Sequence, residues 1–204
     1  MAQLIVFEGI DGSGKTSLSR MFHERLLAGG TRAAWLREPT DSPLGLRIRR
    51  LAQDKDAISI TEELELFIAD RRWDVATNIL PALRSGTTVV MDRYYYSNAC
   101  YQGARGLDRE SILRANRGFA PEPGIVFIID VEVERALARI NRARDGVARL
   151  FEKKDFLEKV RANYLELRGP NLVRIDGNPA LDAVMGDVLR RYGELGGTWS
   201  PPLG

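Results

Sequence analysis

The 204-residue sequence predicts an α/β fold, a doubly wound parallel sheet of five strands with helices on both faces. Two observations carry that expectation. Five short runs rich in Val, Ile, Leu and Phe read as strands, and segments with apolar residues at helical spacing separate them. Strands written as continuous apolar runs, rather than as alternating ones, are covered on both faces, as in a parallel sheet. Ligands of such sheets sit at the carboxyl ends of the strands, so the residues that follow each run are the first candidates for chemistry.

The first strand is expected over residues 3–8, and Leu18, Phe22 and Leu26 then recur one turn apart as the first helix. A second strand follows at 33–37. Leu64, Phe67, Ile68, Val75 and Ile79 mark a long helix before the third strand, 87–92. The fourth and fifth strands are expected at 125–130 and 171–176. With no repeat, low-complexity tract or long linker, residues 1–204 read as a single domain. Residues 194–204, with three glycines and two prolines, read as a flexible tail.

Composition excludes several classes. The chain is 44% hydrophobic, 28% charged and 8% aromatic, an ordinary globular balance. No run approaches the ~18 apolar residues of a membrane span. Glu8 and Asp11 interrupt the first apolar run, so no signal peptide is read and a cytoplasmic location is expected. A lone Cys100 cannot make an internal disulfide, and Cys100 with a lone His23 is too little for a zinc site. His23 itself reads as a packing or surface residue. A net charge of +2, from thirty basic and twenty-eight acidic residues, does not announce a nucleic-acid partner.

Residues 9–16, Gly-Ile-Asp-Gly-Ser-Gly-Lys-Thr, follow the first strand, open the first helix and match G-x-x-x-x-G-K-[ST] at every fixed position. The glycines let successive N–H groups turn toward phosphate oxygens, and the helix N-terminus adds partial positive charge. Gly9, Asp11, Gly12, Ser13, Gly14, Lys15 and Thr16 are therefore the candidate ATP site, on a fold of the P-loop NTPase type. Lys15 would serve the β and γ phosphates, and Thr16 would ligate Mg²⁺. No Asn-Lys-x-Asp segment reads guanine, and 204 residues leave no room for a coupling domain. Phosphoryl transfer to a small molecule is favoured.

Further residues follow the other strands: Arg37-Glu38-Pro39 after the second, and Asp92-Arg93-Tyr94 with Ser97-Asn98-Ala99-Cys100-Tyr101-Gln102-Gly103 after the third. The long helix carries Leu66-Phe67-Ile68-Ala69-Asp70-Arg71, in which Phe67 and Arg71 are four apart and share a face. There a ring can stack on a base while a guanidinium donates to a base carbonyl. With the phosphate loop, these motifs resemble the bacterial thymidylate kinases over nearly the whole chain. The resemblance implies that Phe67 and Arg71 read thymine, that Arg93 and Arg37 hold the acceptor monophosphate beside Pro39, and that Asp92 joins Thr16 at the metal. It further implies that Asp11 accepts from the 3′-hydroxyl, that Ser97 or Asn98, followed by Gln102, addresses the pyrimidine edge, and that Tyr101 packs under a deoxyribose. Tyr95 and Tyr96 read equally well as core. The sequence departs from the family at Thr40-Asp41-Ser42, where Gly-Gly-Thr is usual, at Pro123-Gly124, where Pro-Asp is usual, and at Trp73, where histidine is commoner.

Arg139, Arg142, Arg144 and Arg149 cluster around Asp145-Gly146, and residues 139–152 read as a mobile lid. Some members of the family place a catalytic arginine directly after the phosphate-loop acid; Gly12 stands there in this chain. The resemblance is then to the subgroup whose lid supplies the charge, with Arg142, Arg144 or Arg149 as catalytic candidates beside Lys15, Asp92 and Arg93. The expected reaction is ATP- and Mg²⁺-dependent phosphorylation of dTMP to dTDP, by a homodimer joined through helices such as 62–83. Another (deoxy)nucleoside monophosphate kinase, a deoxynucleoside kinase, or a regulatory nucleotide-binding module without turnover are the alternatives.

Overall fold

A computed structural model describes residues 2–51, 58–141 and 148–197. Its strands lie where the apolar runs predict them: β1 (Leu4–Glu8), β2 (Ala33–Arg37), β3 (Thr88–Asp92), β4 (Ile125–Asp130) and β5 (Leu172–Asp176). They form one parallel sheet in the order β2-β3-β1-β4-β5. That order explains the runs. All of β1 and β3, and all but the last residue of β4, are buried because these strands have neighbours on both sides and helices above and below. The edge strands β2 and β5 are mostly half-exposed.

The helices, in chain order, are α1 (Lys15–Ala28), α2 (Pro43–Leu51), α3 (Ile60–Asp74), α4 (Leu80–Arg84), α5 (Tyr95–Ala104), α6 (Arg109–Arg117), α7 (Val133–Asn141), α8 (Ala148–Glu166) and α9 (Leu181–Glu194). On one face, Phe22 of α1 meets Phe7 and Phe127 at ring-centroid distances of 5.5 and 6.1 Å, and Tyr192 of α9 at 5.1 Å. Burying each such ring contributes about 1.5–3 kcal/mol. Successive strand side chains point to opposite faces, so Glu8, next to Phe7, turns to the other layer, which α5 and α8 cover.

A capping box starts α3: the Ser59 hydroxyl accepts from the Glu62 N–H at 3.2 Å, and the Glu62 carboxylate accepts from the Ser59 N–H at 2.8 Å. Where periodicity predicts uninterrupted helix, Val75–Ile79 form a π-helical turn before α4. Pro81 has no N–H to offer the carbonyl four residues back, so the regular ladder cannot continue through it. Of the stretch read as a lid, 139–141 close α7 and 148–152 open α8, while 142–147 lie outside the described residues. The last residues of the proposed tail, 198–204, lie outside them too. Among the described residues no helix is long and apolar enough to cross a membrane.

Candidate active site

The phosphate loop turns out of β1 with backbone angles that only glycine adopts easily. Gly9 has φ 144°, and a Cβ there would lie 2.6 Å from the Ile129 carbonyl oxygen. Gly12 has φ 80°, and its Cβ would lie 2.3 Å from the Ala136 carbonyl oxygen of α7. A side chain at position 12 would require the loop and α7 to move apart, and the positive φ favours glycine there. Gly14 is the N-cap of α1, whose first turn leaves its N–H groups free for an anion. Lys15 is buried, donates to the Ile10 carbonyl at 3.2 Å and stands 3.7 Å from the Asp11 carboxylate. Burial, reinforced by Arg93, pulls the Lys15 ammonium down to about 8. Arg139 of α7 donates to the carbonyls of Gly12, Ser13 and Gly177 and braces the loop from outside.

Thr16 Oγ1 donates to Asp92 Oδ2 at 2.6 Å, which joins the first turn of α1 to the end of β3. Asp92 Oδ1 and Ser13 Oγ are buried without partners, and among the described residues only Asp74 Oδ2 shares that condition. Two of these three orphaned atoms therefore lie at the phosphate loop or beside Thr16, where an incoming group would satisfy them.

Arg93 follows Asp92 with φ 72°, a left-handed conformation that costs an arginine about 1–3 kcal/mol. Its guanidinium pairs with Asp11, donates to Ser97 Oγ at 3.0 Å and lies 5.1 Å above the Tyr101 ring. Tyr101 also accepts from the Asp11 N–H at 2.9 Å. Desolvation pushes the Asp11 carboxyl upward, but Arg93, Lys15 and Lys153 outweigh it and hold the group below the usual carboxylate range. The phosphate loop, Arg93 and Tyr101 are thus one charged cluster.

A second cluster adjoins it through α5. Ser97 and Tyr101 form one i,i+4 row of that helix and Asn98 and Gln102 the next. Asn98 Oδ1 accepts from Arg71 Nη2 at 2.8 Å, and Asn98 Nδ2 donates to Gln102 Oε1 at 3.2 Å. Arg71 is fully buried and makes a forked pair with Glu38, while its Nη1 donates to Asn116 at 2.6 Å. Burial raises the Glu38 carboxyl, and the facing Arg71 opposes that rise. Of the five guanidinium N–H groups, one on Nη1 stays uncommitted. Phe67, one turn before Arg71, is half-buried.

Other expected residues sit differently. Arg37 pairs with Asp41 at 2.9 Å on the wall of a cavity of about 270 Å³ with Trp35 and Trp73, and shares no hydrogen-bond partner with Arg93. Pro39 offers its carbonyl to Arg49, which also reaches Asp41. Ser97 is committed to Glu8 and Arg93 rather than to open space. Tyr95 and Tyr96 are buried in the core, and His23 bonds the Ala33 carbonyl at 3.2 Å. Arg142 and Arg144 lie outside the described residues, as does the side chain of Arg149. Sequence reasoning passed over Glu8, Asn116, Tyr164 and the clamp in which Asp70 takes the hydroxyls of Thr40 and Ser42 at 2.6 and 2.7 Å. The last gives the departure at Thr40-Asp41-Ser42 a structural purpose. Of these Glu8 carried a signal, as Glu38 did, being an acid at the end of an apolar strand that burial would oblige to find partners.

A family model described as thymidylate kinase matches residues 7–188. A protein of Archaeoglobus fulgidus named probable thymidylate kinase is 44% identical over 187 residues, covering 92% of this chain and 93% of its own. A thymidylate kinase of Desulfotalea psychrophila is 39% identical over 95% of both chains. One of Xanthomonas oryzae pv. oryzae is 41% identical over 89% of this chain and 79% of its own.

Proposed function

The chain belongs to the thymidylate kinase family, and from that premise we propose that it transfers the γ-phosphoryl group of ATP to the 5′-phosphate of dTMP, giving dTDP and ADP. The observation that carries the reading is the Asp11–Arg93 ion pair. It joins the loop that would cradle the donor to the residue that would grip the acceptor phosphate, and α5 extends that contact to Arg71 and Asn98.

In this reading Lys15 and the first N–H groups of α1 hold the β and γ phosphates, while Arg93 holds the dTMP phosphate in line with them. Phe67 stacks on thymine, and the uncommitted Arg71 N–H donates to a base carbonyl. Asp11 takes the 3′-hydroxyl, and Tyr101 packs under the sugar. No general base is needed, since a phosphate monoester with a second pKa of ~6 is largely dianionic at neutral pH. Positioning and charge neutralisation are then the whole of catalysis. Arg142, Arg144 or Arg149 supplies the transition-state charge that Gly12 does not.

Mg²⁺ fits the donor set. The Thr16 hydroxyl and the Asp92 carboxylate are hard oxygen ligands, and the partnerless Asp92 Oδ1 offers a further one. Among the described residues no cluster of three His, Cys, Asp or Glu side chains is present, which suits an ion held by few protein groups together with phosphates and water. When bound, it would neutralise charge on the β and γ phosphates. We also propose a homodimer through the face of α3, where Trp73 is 40% exposed, and action in the cytoplasm, in keeping with a single unpaired cysteine. Incubation with γ-phosphate-labelled ATP and dTMP tests the reaction: label in the β-phosphate of dTDP supports it, and label only in free phosphate contradicts it.

A further inference from the structure

Glu8 is a buried carboxylate for which the reaction above has no use, yet it accepts four hydrogen bonds from three residues, at the start of α5 and on α8. Oε1 takes the backbone N–H groups of Tyr94 at 2.8 Å and Ser97 at 3.1 Å. Oε2 takes the hydroxyls of Ser97 at 2.6 Å and Tyr164 at 2.8 Å. Tyr94 is the N-cap of α5 and has no side-chain cap of its own, so the Glu8 carboxylate satisfies the first turn of that helix from the neighbouring strand.

These bonds converge on Arg93. Its own N–H is held by the Phe7 carbonyl at 3.0 Å and the next N–H by Glu8, so both amides around the left-handed residue are tied to the end of β1. A strained conformation persists only where its surroundings over-determine it. The hydroxyl of Ser97, whose hydrogen goes to Glu8, is left with its lone pairs toward Arg93 Nη1. Tyr164 brings α8, which begins at the end of the proposed lid, onto the same carboxylate.

We infer that Glu8 is a positioning residue for the acceptor phosphate: it holds Arg93 in its left-handed conformation and, through the Ser97 hydroxyl, aims the guanidinium into the crevice. The inference rests on the assignment of dTMP as acceptor. It is tested by calorimetric titration of dTMP and, separately, of ATP into the parental protein, Glu8→Gln, Arg93→Ala and the double variant. Glu8→Gln keeps the shape and removes the charge. It is expected to weaken dTMP about tenfold in the parental background but less than about twofold in the Arg93→Ala background, because residues acting through one another are not additive. ATP affinity is expected to stay within about twofold in Glu8→Gln. Equal losses of dTMP affinity in both backgrounds, or an equal loss for ATP, overturn the inference and make Glu8 structural. If Glu8→Gln does not fold, Ser97→Ala in the same cycle severs the side-chain link and must show the same non-additivity. A parental protein that binds ATP but not dTMP overturns the acceptor assignment, and the inference with it.

Discussion

Thr16 Oγ1 donates to Asp92 Oδ2 at 2.6 Å, and the second oxygen of that carboxylate is buried with no partner. The end of β3 thereby carries an unsatisfied acceptor on the same carboxylate that binds Thr16 in the first turn of α1. A buried carboxylate oxygen is costly to leave so, and a cation beside it removes the cost.

Asp92→Asn should therefore change metal dependence before it changes the fold. ADP release measured against Mg²⁺ concentration is expected to shift its half-saturation upward by at least about tenfold, with kcat down on the order of 10². An unchanged Mg²⁺ curve would mark Asp92 as structural.

Arg71 and Glu38 form a buried pair, so Arg71→Ala should cost both affinity and stability. Leaving the Glu38 carboxylate alone destabilises by on the order of 3–5 kcal/mol. The double change Arg71→Met with Glu38→Gln removes both charges and is expected to restore most of the melting temperature without restoring dTMP binding. Recovery of dTMP affinity along with stability would show that Arg71 does not read the base.

Lys15 gives a pH signature. Its ammonium is pulled down to about 8 by burial and the neighbouring Arg93, so in the free enzyme the charge is present below that pH and lost above it. kcat/KM for ATP, which reports free-enzyme groups, is expected to fall with unit slope as pH rises through about 8. Lys15→Arg stays charged across the range and should show no such limb, whatever its absolute rate. A parental profile flat to pH 10 contradicts the role.

In the proposed reading the lid arginines carry the charge that Gly12 does not supply. Arg→Ala at 142, 144 and 149 should include at least one change that lowers kcat by on the order of 10³ while leaving KM for dTMP nearly unchanged, as expected of a contact made in the transition state. Three near-parental rates would transfer that role to Arg139, already at the loop, or to a partner subunit.

Much of this was legible in sequence. The strands expected at 3–8, 87–92 and 171–176 begin one residue early against Leu4, Thr88 and Leu172; the central strands were legible because a strand buried on both faces writes itself as an unbroken apolar run. The phosphate loop was legible because its spacing is its mechanism. The resemblance implied Thr16 beside Asp92, but the partners of the buried charges stayed hidden: Arg71 with Glu38 and Asn116, 33 and 45 residues away, and Glu8 with Tyr164, 156 residues away. Periodicity reports which side a residue faces, never which distant side chain it meets there. Arg37 shows the consequence. It stands in register with Asp92, beside Arg93, as its place at a strand end suggested, but its pair with Asp41 on the wall of the cavity beside Trp73 had no signal in the strand pattern.

ADP release measured across dTMP, dUMP, dCMP, dGMP and dAMP, with ATP and Mg²⁺ saturating, tests the central claim most directly. The account predicts kcat/KM for dTMP above that for either purine and for dCMP by at least about 10³, since buried polar groups that read a base carbonyl are left unpaired by the wrong base. A purine monophosphate used as well as dTMP, or ADP release indifferent to the acceptor, would contradict it.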